Sequence, residues 1–328
     1  MKKFLMVLGV TFFVLITAVS VLLIYVSNGL PNVGPAPEIQ VEQTEARIER
    51  GEHLANNVAV CMHCHSPQEK SKFTHPINSE MLGAGGNRFG VEENFPGNYY
   101  ASNLTPANLG DWTDGEVYRA ITSGVGKDGR ALFPIMPYPN YAQMDKEDVY
   151  SIIAYLRTLE PVENEVPASE SFFPMNFIIN TIPAKAELSD AKPDKSDPVE
   201  WGKYLVTTAS CMDCHTPKEQ GADIPGMTFA GGMEFLMEDG SITRTANISP
   251  DMNTGIGSWT EAQFVDRFKE YADSTFIFHE VSAGQFNTSM PWSMYSRMSE
   301  DELKAIYAYL RTATPVENLI TKFTPAGD

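Results

Sequence analysis

Two pentapeptides constrain this chain more than anything else in it: Cys61-Met62-His63-Cys64-His65 and Cys211-Met212-Asp213-Cys214-His215. Two cysteines separated by two residues, with a histidine directly after, form the attachment signature of a c-type haem. Each thiol can add to one vinyl group of the porphyrin, and His65 or His215 is then placed under the iron as proximal ligand. The two sites consume all four cysteines of the chain, which leaves none for disulfides. A zinc ribbon would separate its cysteine pairs by roughly 15–20 residues, whereas 146 residues lie between Cys64 and Cys211. A redox dithiol explains neither the following histidines nor the duplication.

The duplication extends well beyond the cysteines. Gly51-Glu52-His53-Leu54 and Gly202-Lys203-Tyr204-Leu205 precede the two motifs, and Ala84-Gly85-Gly86 matches Ala230-Gly231-Gly232. Asn103-Leu104-Thr105-Pro106 matches Asn247-Ile248-Ser249-Pro250, Trp112-Thr113 matches Trp259-Thr260, and Tyr155-Leu156-Arg157-Thr158 matches Tyr309-Leu310-Arg311-Thr312. Helix starts recur too. Thr113-x-x-Glu116, Thr260-x-x-Gln263 and Ser299-x-x-Glu302 are capping boxes, and Asp145 with Asp148 is a weaker form. The final helices place Val149, Ile152, Ile153 and Leu156, then Leu303, Ile306, Tyr307 and Leu310, at i, i+3, i+4, i+7 steps. Further helices are expected from Thr44 to about Asn57 and from Pro198 to about Thr208. Each copy reads as helix, haem motif, long loop, helix, loop, helix, and the chain as mainly α.

Forty-two acidic against 24 basic residues give the 328-residue chain a net charge of −18. Such a field repels nucleic-acid phosphates and suits solubility or a basic partner surface. The acidity avoids the N-terminus, where Phe4 to Val26 make 23 positions without a charge after Lys2 and Lys3. A helix of that length spans a hydrocarbon core of ~30 Å. A signal peptide has a shorter apolar core, ~7–15 residues, before a small-x-small site. Ala18-Val19-Ser20 sits inside the apolar run, so an uncleaved anchor is expected. The two lysines keep the N-terminus cytoplasmic and place the rest on the periplasmic side of the inner membrane. The expected organisation is a transmembrane anchor (1–27), a flexible spacer rich in proline and glycine (28–44), a first haem domain (45–160), a linker (161–197), a second haem domain (198–320) and a tail (321–328).

Each iron needs a ligand opposite its histidine. In small c-type cytochromes this is usually a methionine on the loop before the last helix. Met136-Pro137 and Met290-Pro291 fit that place and lie 154 residues apart, like the helices that follow. Thioether sulfur favours ferrous iron and raises the potential, and the proline stiffens the loop. Met144 and Met298 are also paired but directly precede the final helices, where a methionine more naturally packs the helix start; Met81, Met227 and Met233 lack a matched loop. Among the other histidines, His53, His63, His75 and His279, His63 is ill placed for the far face of a porphyrin. His279 falls where the second copy is seven residues longer (Trp259 to Met290 against Trp112 to Met136) and reads as a solvent-facing loop residue. Trp112 and Trp259 read as core anchors at helix starts.

The chain resembles the di- and multihaem cytochrome c subunits of bacterial membrane-bound alcohol, sugar-acid and aldehyde dehydrogenases. The resemblance rests on Cys-x-x-Cys-His-Thr-Pro at 211–217, on Asn247-Ile248-Ser249-Pro250 through Thr254-Gly255-Ile256-Gly257 to Trp259-Thr260, and on Gly126-Lys127-Asp128-Gly129-Arg130 leading into Met136-Pro137-Tyr138. It implies two tandem class I cytochrome c-like domains, covalent haems with His/Met ligation, and electron passage from a catalytic partner towards quinone or a terminal oxidase. The best-known members carry three haems and are often anchored at the other end, whereas this chain has two motifs. The expected function is therefore a membrane-anchored dihaem c-type cytochrome. It would carry single electrons between a periplasmic dehydrogenase or the quinone pool and a terminal acceptor, either an oxidase or a soluble cytochrome. The rivals are a dihaem enzyme of peroxidase or thiosulfate-oxidising type, which needs one exchangeable distal site, and a haem-based sensor, which needs an output domain.

Overall fold

Helix α1 (Lys2–Asn28) has no buried residue and is the one described helix long and apolar enough to cross a membrane. It belongs to a computed structural model that describes residues 2–273 and 276–327. The remaining long helices come in two sets: α2 (Glu45–His53), α3 (Asp114–Ser123) and α4 (Lys146–Leu156), then α5 (Pro198–Thr208), α6 (Glu261–Lys269) and α7 (Glu300–Leu310). Local sequence sets their starts. Thr44 caps α2 by accepting from the Arg47 N–H, and Thr113, Thr260 and Ser299 form complete capping boxes. Asp145 caps α4, but Asp148 does not close a box; its carboxylate turns elsewhere.

Packing follows the apolar stripes. α2 lies against α4 and α5 against α7, burying Leu54, Ile152, Ile153, Leu205, Leu303 and Ile306. The approach is close enough to require glycine. A Cβ on Gly51 would sit 1.8 Å from the Ser151 carbonyl oxygen, and one on Gly202 would sit 1.9 Å from that of Ala305. Loops are tied down in the same pairwise way. The Asn103 and Asn247 amides donate to the carbonyls of Val162 and Val316 at 2.8 and 2.7 Å, and the Asn164 and Asn318 amides donate to those of Ala84 and Ala230 at 2.9 and 3.0 Å.

Three expectations change. The stretch 28–44 is not a loose spacer: Val33 and Val41 are buried, and the Val41 N–H donates to Asp114 Oδ2 at 2.8 Å at the start of α3. Proline and glycine content reports backbone stiffness, not whether a segment docks. The stretch after residue 160 supplies β3 (Glu170–Ser171) to an antiparallel sheet with β1 (Arg88–Phe89) and β2 (Gly97–Tyr100), in register Arg88↔Tyr100 and Gly97↔Ser171. The tail likewise supplies β6 (Phe323–Thr324) beside β5 (Ile242–Arg244), which pairs with β4 (Glu234–Leu236) in register Glu234↔Arg244 and Thr243↔Phe323. Two-residue strands carry too little alternation to be read from sequence.

A charged network joins the two helix sets. Arg50 on α2 grips Asp148 on α4 with two bonds of 3.0 and 2.9 Å, and the Tyr204 hydroxyl of α5 donates to the same carboxylate at 2.7 Å. In the corresponding place on α7, Glu302 lies 2.9 Å from His53 Nε2. Burial would raise the Glu302 carboxyl, but the His53 hydrogen bond and charge, with the Ser299 N–H and Arg50, outweigh it and hold it down at about 2 against the usual 4.5. A carboxyl lowered on folding contributes stability above its unfolded value and loses it as pH falls through its folded value. Unfolding free energy is therefore expected to decline from about pH 4.5 towards pH 2 in the wild type. In Glu302→Gln the decline in that window should shrink. An identical acid limb in the variant, by denaturant titration at stepped pH, would show that the pair contributes nothing.

Candidate functional site

Each motif forms a single helical turn, Cys61–His65 and Cys211–His215, entered from a non-glycine residue in the left-handed region: Val60 at φ 45 and Ser210 at φ 54. Such a residue is strained and persists when its surroundings impose it. The approach differs between the copies. From Gly51 to Cys61 is ten residues, from Gly202 to Cys211 nine. The additional residue is absorbed as a π-helical turn at Leu54–Val58, while α5 stays regular.

The motif histidines are oriented alike. His65 Nδ1 donates to the Ser102 carbonyl at 2.7 Å and His215 Nδ1 to the Ala246 carbonyl at 2.8 Å. A carbonyl only accepts, so Nδ1 carries the proton and Nε2 keeps a free lone pair, which is the tautomer of a metal-ligating imidazole. Burial pushes both imidazoles below their ordinary pKa, with the carbonyl bond opposing, which favours the neutral ring.

The cysteines are unpaired. Burial pushes Cys61, Cys211 and Cys214 up to about 12 and Cys64 up to about 11. A redox dithiol or thiolate site needs the opposite shift. Among the described residues no group of three or more His, Cys, Asp or Glu could hold a metal ion directly. Neutral thiols beside an oriented imidazole suit conversion to thioethers.

A cavity of about 1260 Å³ lies beside the motifs, lined by Cys61, Cys64, His65 and Met136 and also by Asp213 and Cys214. Small-ligand pockets are usually ~300–1,000 Å³, so the space suits a group larger than most ligands. Phe95, Tyr99 and Phe133 wall it, with Tyr99 and Phe133 stacked at 4.0 Å. Flat apolar walls, two thiols, an imidazole and a thioether fit a covalently held porphyrin. The structure thus brings Cys61, Cys64, His65 and Met136 to one cavity. Of the second set Cys214 reaches it, with Pro291 beside Met290, while Cys211, His215 and Met290 lie off it.

Several supporting residues escaped the sequence reading. The Tyr141 hydroxyl donates to the Ala59 carbonyl at 3.0 Å and the Tyr295 hydroxyl to that of Ala209 at 2.7 Å, pinning the turn after each Met-Pro to the entry of its motif. Their 154-residue offset was the available signal. The Asn140 amide donates to Ser210 Oγ at 3.0 Å and Asp213 Oδ2 at 2.8 Å, so the first methionine loop touches the second motif. In the other direction, the Thr74 hydroxyl donates to the Met290 carbonyl, and the Thr74 N–H donates to Asn287 Oδ1 at 2.9 Å. The longer segment of the second copy explains this bracing: the Phe73 N–H donates to the His279 carbonyl at 2.9 Å and the two rings stack at 5.3 Å. His279 is exposed, as expected. Met144 and Met298 are core residues at 0% and 1% exposure. Trp112 packs on the core, but Trp259 is 36% exposed and lies outside the described core cluster; its carbonyl accepts from the Tyr307 hydroxyl.

Residues 199–314 match the cytochrome c family model and form a cytochrome c domain, a class that carries covalently bound haem c. The chain is 27% identical over 286 residues to the cytochrome c subunit of the quinone alcohol dehydrogenase of Gluconacetobacter polyoxogenes, covering 83% of this chain and 57% of that one. It is 29% identical over 279 residues to the fructose dehydrogenase cytochrome subunit of Gluconobacter japonicus, covering 81% and 52%. It is 25% identical over 269 residues to a diheme cytochrome c-type protein of Cereibacter sphaeroides, covering 78% and 83%. The chain spans little more than half the length of the dehydrogenase subunits it resembles.

Proposed function

We propose that the chain is a membrane-anchored dihaem cytochrome c, built as two tandem class I domains, that carries single electrons between a periplasmic dehydrogenase or the quinone pool and a terminal acceptor. The observation that carries this reading is the duplicated Nδ1–carbonyl bond of His65 and His215, each beside two unpaired thiols. Haem c supplies an iron that takes up and releases one electron. The residues would do the rest: Cys61, Cys64, Cys211 and Cys214 would hold the macrocycles, His65 and His215 would offer Nε2, and Met136 and Met290 would offer thioether sulfur. The Tyr141 and Tyr295 clamps keep each methionine loop from drifting, which limits reorganisation when the charge changes. Relatives named as dehydrogenase cytochrome subunits support a dehydrogenase as donor, and the net charge of −18 suits a partner with a basic face. Helix α1, preceded by Lys2 and Lys3, would hold the haem-bearing part outside the inner membrane.

Intact-mass analysis of the protein from an expression host competent in haem attachment is expected to show two haems. Cys61→Ser combined with Cys64→Ser should leave one. A wild-type mass carrying a single haem would remove the dihaem reading. Gentle purification from native membranes tests the circuit, with a dehydrogenase subunit or an oxidase expected to co-purify. High-spin ferric haem with peroxide turnover would favour the enzymatic alternative.

A further inference from the structure

The stretch Ser171 to Ala184, between Glu170 and Lys185, has no charged residue and carries Phe172, Phe173, Met175, Phe177, Ile178 and Ile182. It forms a short helical turn, Met175–Ile178, continued by Ile179–Thr181. Its two sides differ. Asn176, Ile179 and Asn180 line the cavity of the first motif. Phe173 is 81% exposed, with Phe172 at 40% and Ile178 at 45%. Exposed aromatic and aliphatic side chains on one turn of an acidic protein call for a covering surface.

The covering surface is indicated by position. Both parts of this turn contact α1. Within α1, Val26 in the last turn is the one described residue with partial cover, so the contact falls where the helix ends. The turn is also fixed from the other side, because β3 pairs with β2 and the Phe172 N–H donates to the Pro96 carbonyl at 2.9 Å. An apolar turn held rigidly beside the exit of a spanning helix lies at the depth of the headgroup–acyl boundary, where aromatic side chains are favoured.

We propose that residues 172–182 form a foot that inserts Phe172, Phe173 and Ile178 into the interfacial layer of the bilayer and seats the first motif's cavity against the membrane. The inference rests on α1 being a membrane anchor. With cover on both faces, the foot sets the tilt of the first half relative to the lipid and brings that cavity next to lipid-soluble redox carriers.

Full-length protein reconstituted in phosphatidylcholine–phosphatidylglycerol nanodiscs can be spin-labelled singly at Phe173→Cys, at Val14→Cys within α1 and at Leu319→Cys, which is 87% exposed. The label at 173 is expected to collide severalfold more with oxygen than with a water-soluble nickel chelate, in the sense shown by the label at 14 and opposite to that at 319. A label at 173 that matches 319, with 14 still in lipid, overturns the foot and leaves the anchor intact. A label at 14 that also matches 319 overturns both. A label at 173 shielded from both reagents overturns the foot in favour of a protein covering.

Discussion

Met136→Ala and Met290→Ala, made singly, are each expected to abolish about half of the thioether–iron charge-transfer absorption of the ferric protein and to lower one of two reduction potentials. Thioether sulfur stabilises ferrous iron, and its loss leaves water or a harder donor that favours the ferric state. Axial ligation spans ~0.8 V across haem proteins, so a drop on the order of 0.1–0.3 V is expected at the affected site. The mutated site should also acquire high-spin character while the other keeps its spectrum. Structure supports the first ligand most directly, since Met136 lines the cavity with His65. Met290 lies off that cavity but sits in the matching turn, with its carbonyl accepting from the Trp292 N–H at 2.8 Å as that of Met136 accepts from the Tyr138 N–H at 2.7 Å. An optical spectrum and titration unchanged by either substitution would remove the methionine assignment.

Gly51→Ala and Gly202→Ala are expected to destabilise strongly, against the ordinary sign of that exchange. Within a helix, alanine is favoured over glycine by about 1 kcal/mol. Here the new Cβ would lie 1.8 Å from the Ser151 oxygen or 1.9 Å from the Ala305 oxygen, and both are backbone atoms that cannot rotate away. Forcing α2 from α4, or α5 from α7, opens the core around Leu54 or Leu205. A net loss of about 3 kcal/mol or more is expected for each, which lowers the melting temperature by roughly 6–12 °C. The helices also deliver the two motifs, so substoichiometric haem attachment should accompany the loss. A denaturation midpoint equal to or above wild type would show that the helices are not in contact at these glycines.

The parts of the fold legible in the sequence are those governed by short-range rules. The helix expected from Pro198 to about Thr208 spans Pro198–Thr208, where Asp197 caps it and Pro198 suits its first turn. The three capping boxes were readable for the same reason. The π-turn at Leu54–Val58 was encoded only as a one-residue difference in spacing between the copies, which shows that something must give without showing where. Asp148 illustrates the opposite limit. Its local pattern suggested a capping role, yet Arg50, Tyr204 and Lys192 draw it into a buried network from positions 44 to 98 residues away. The docking of Val41 on Asp114 is of the same kind, 73 residues apart.

The candidate site divides similarly. The chemistry of attachment is written in five adjacent residues, so Cys61, Cys64, His65 and their counterparts could be named without coordinates. The internal offset of 154 residues then selected Met136 and Met290 from 15 methionines. By itself the sequence named the candidate attachment side chains and the matched segments of the two halves, because covalent chemistry and helix capping depend on near neighbours. Only the tertiary structure decided that the Met136 loop touches the second motif through Asn140, that a first-half loop braces Met290 through Thr74, and that the stretch after residue 160 closes a cavity instead of hanging free. Those contacts join residues dozens to hundreds of positions apart. They exist because burying the apolar faces of α2 with α4 and of α5 with α7 brings the loops together, and no local pattern records which loop will be opposite which.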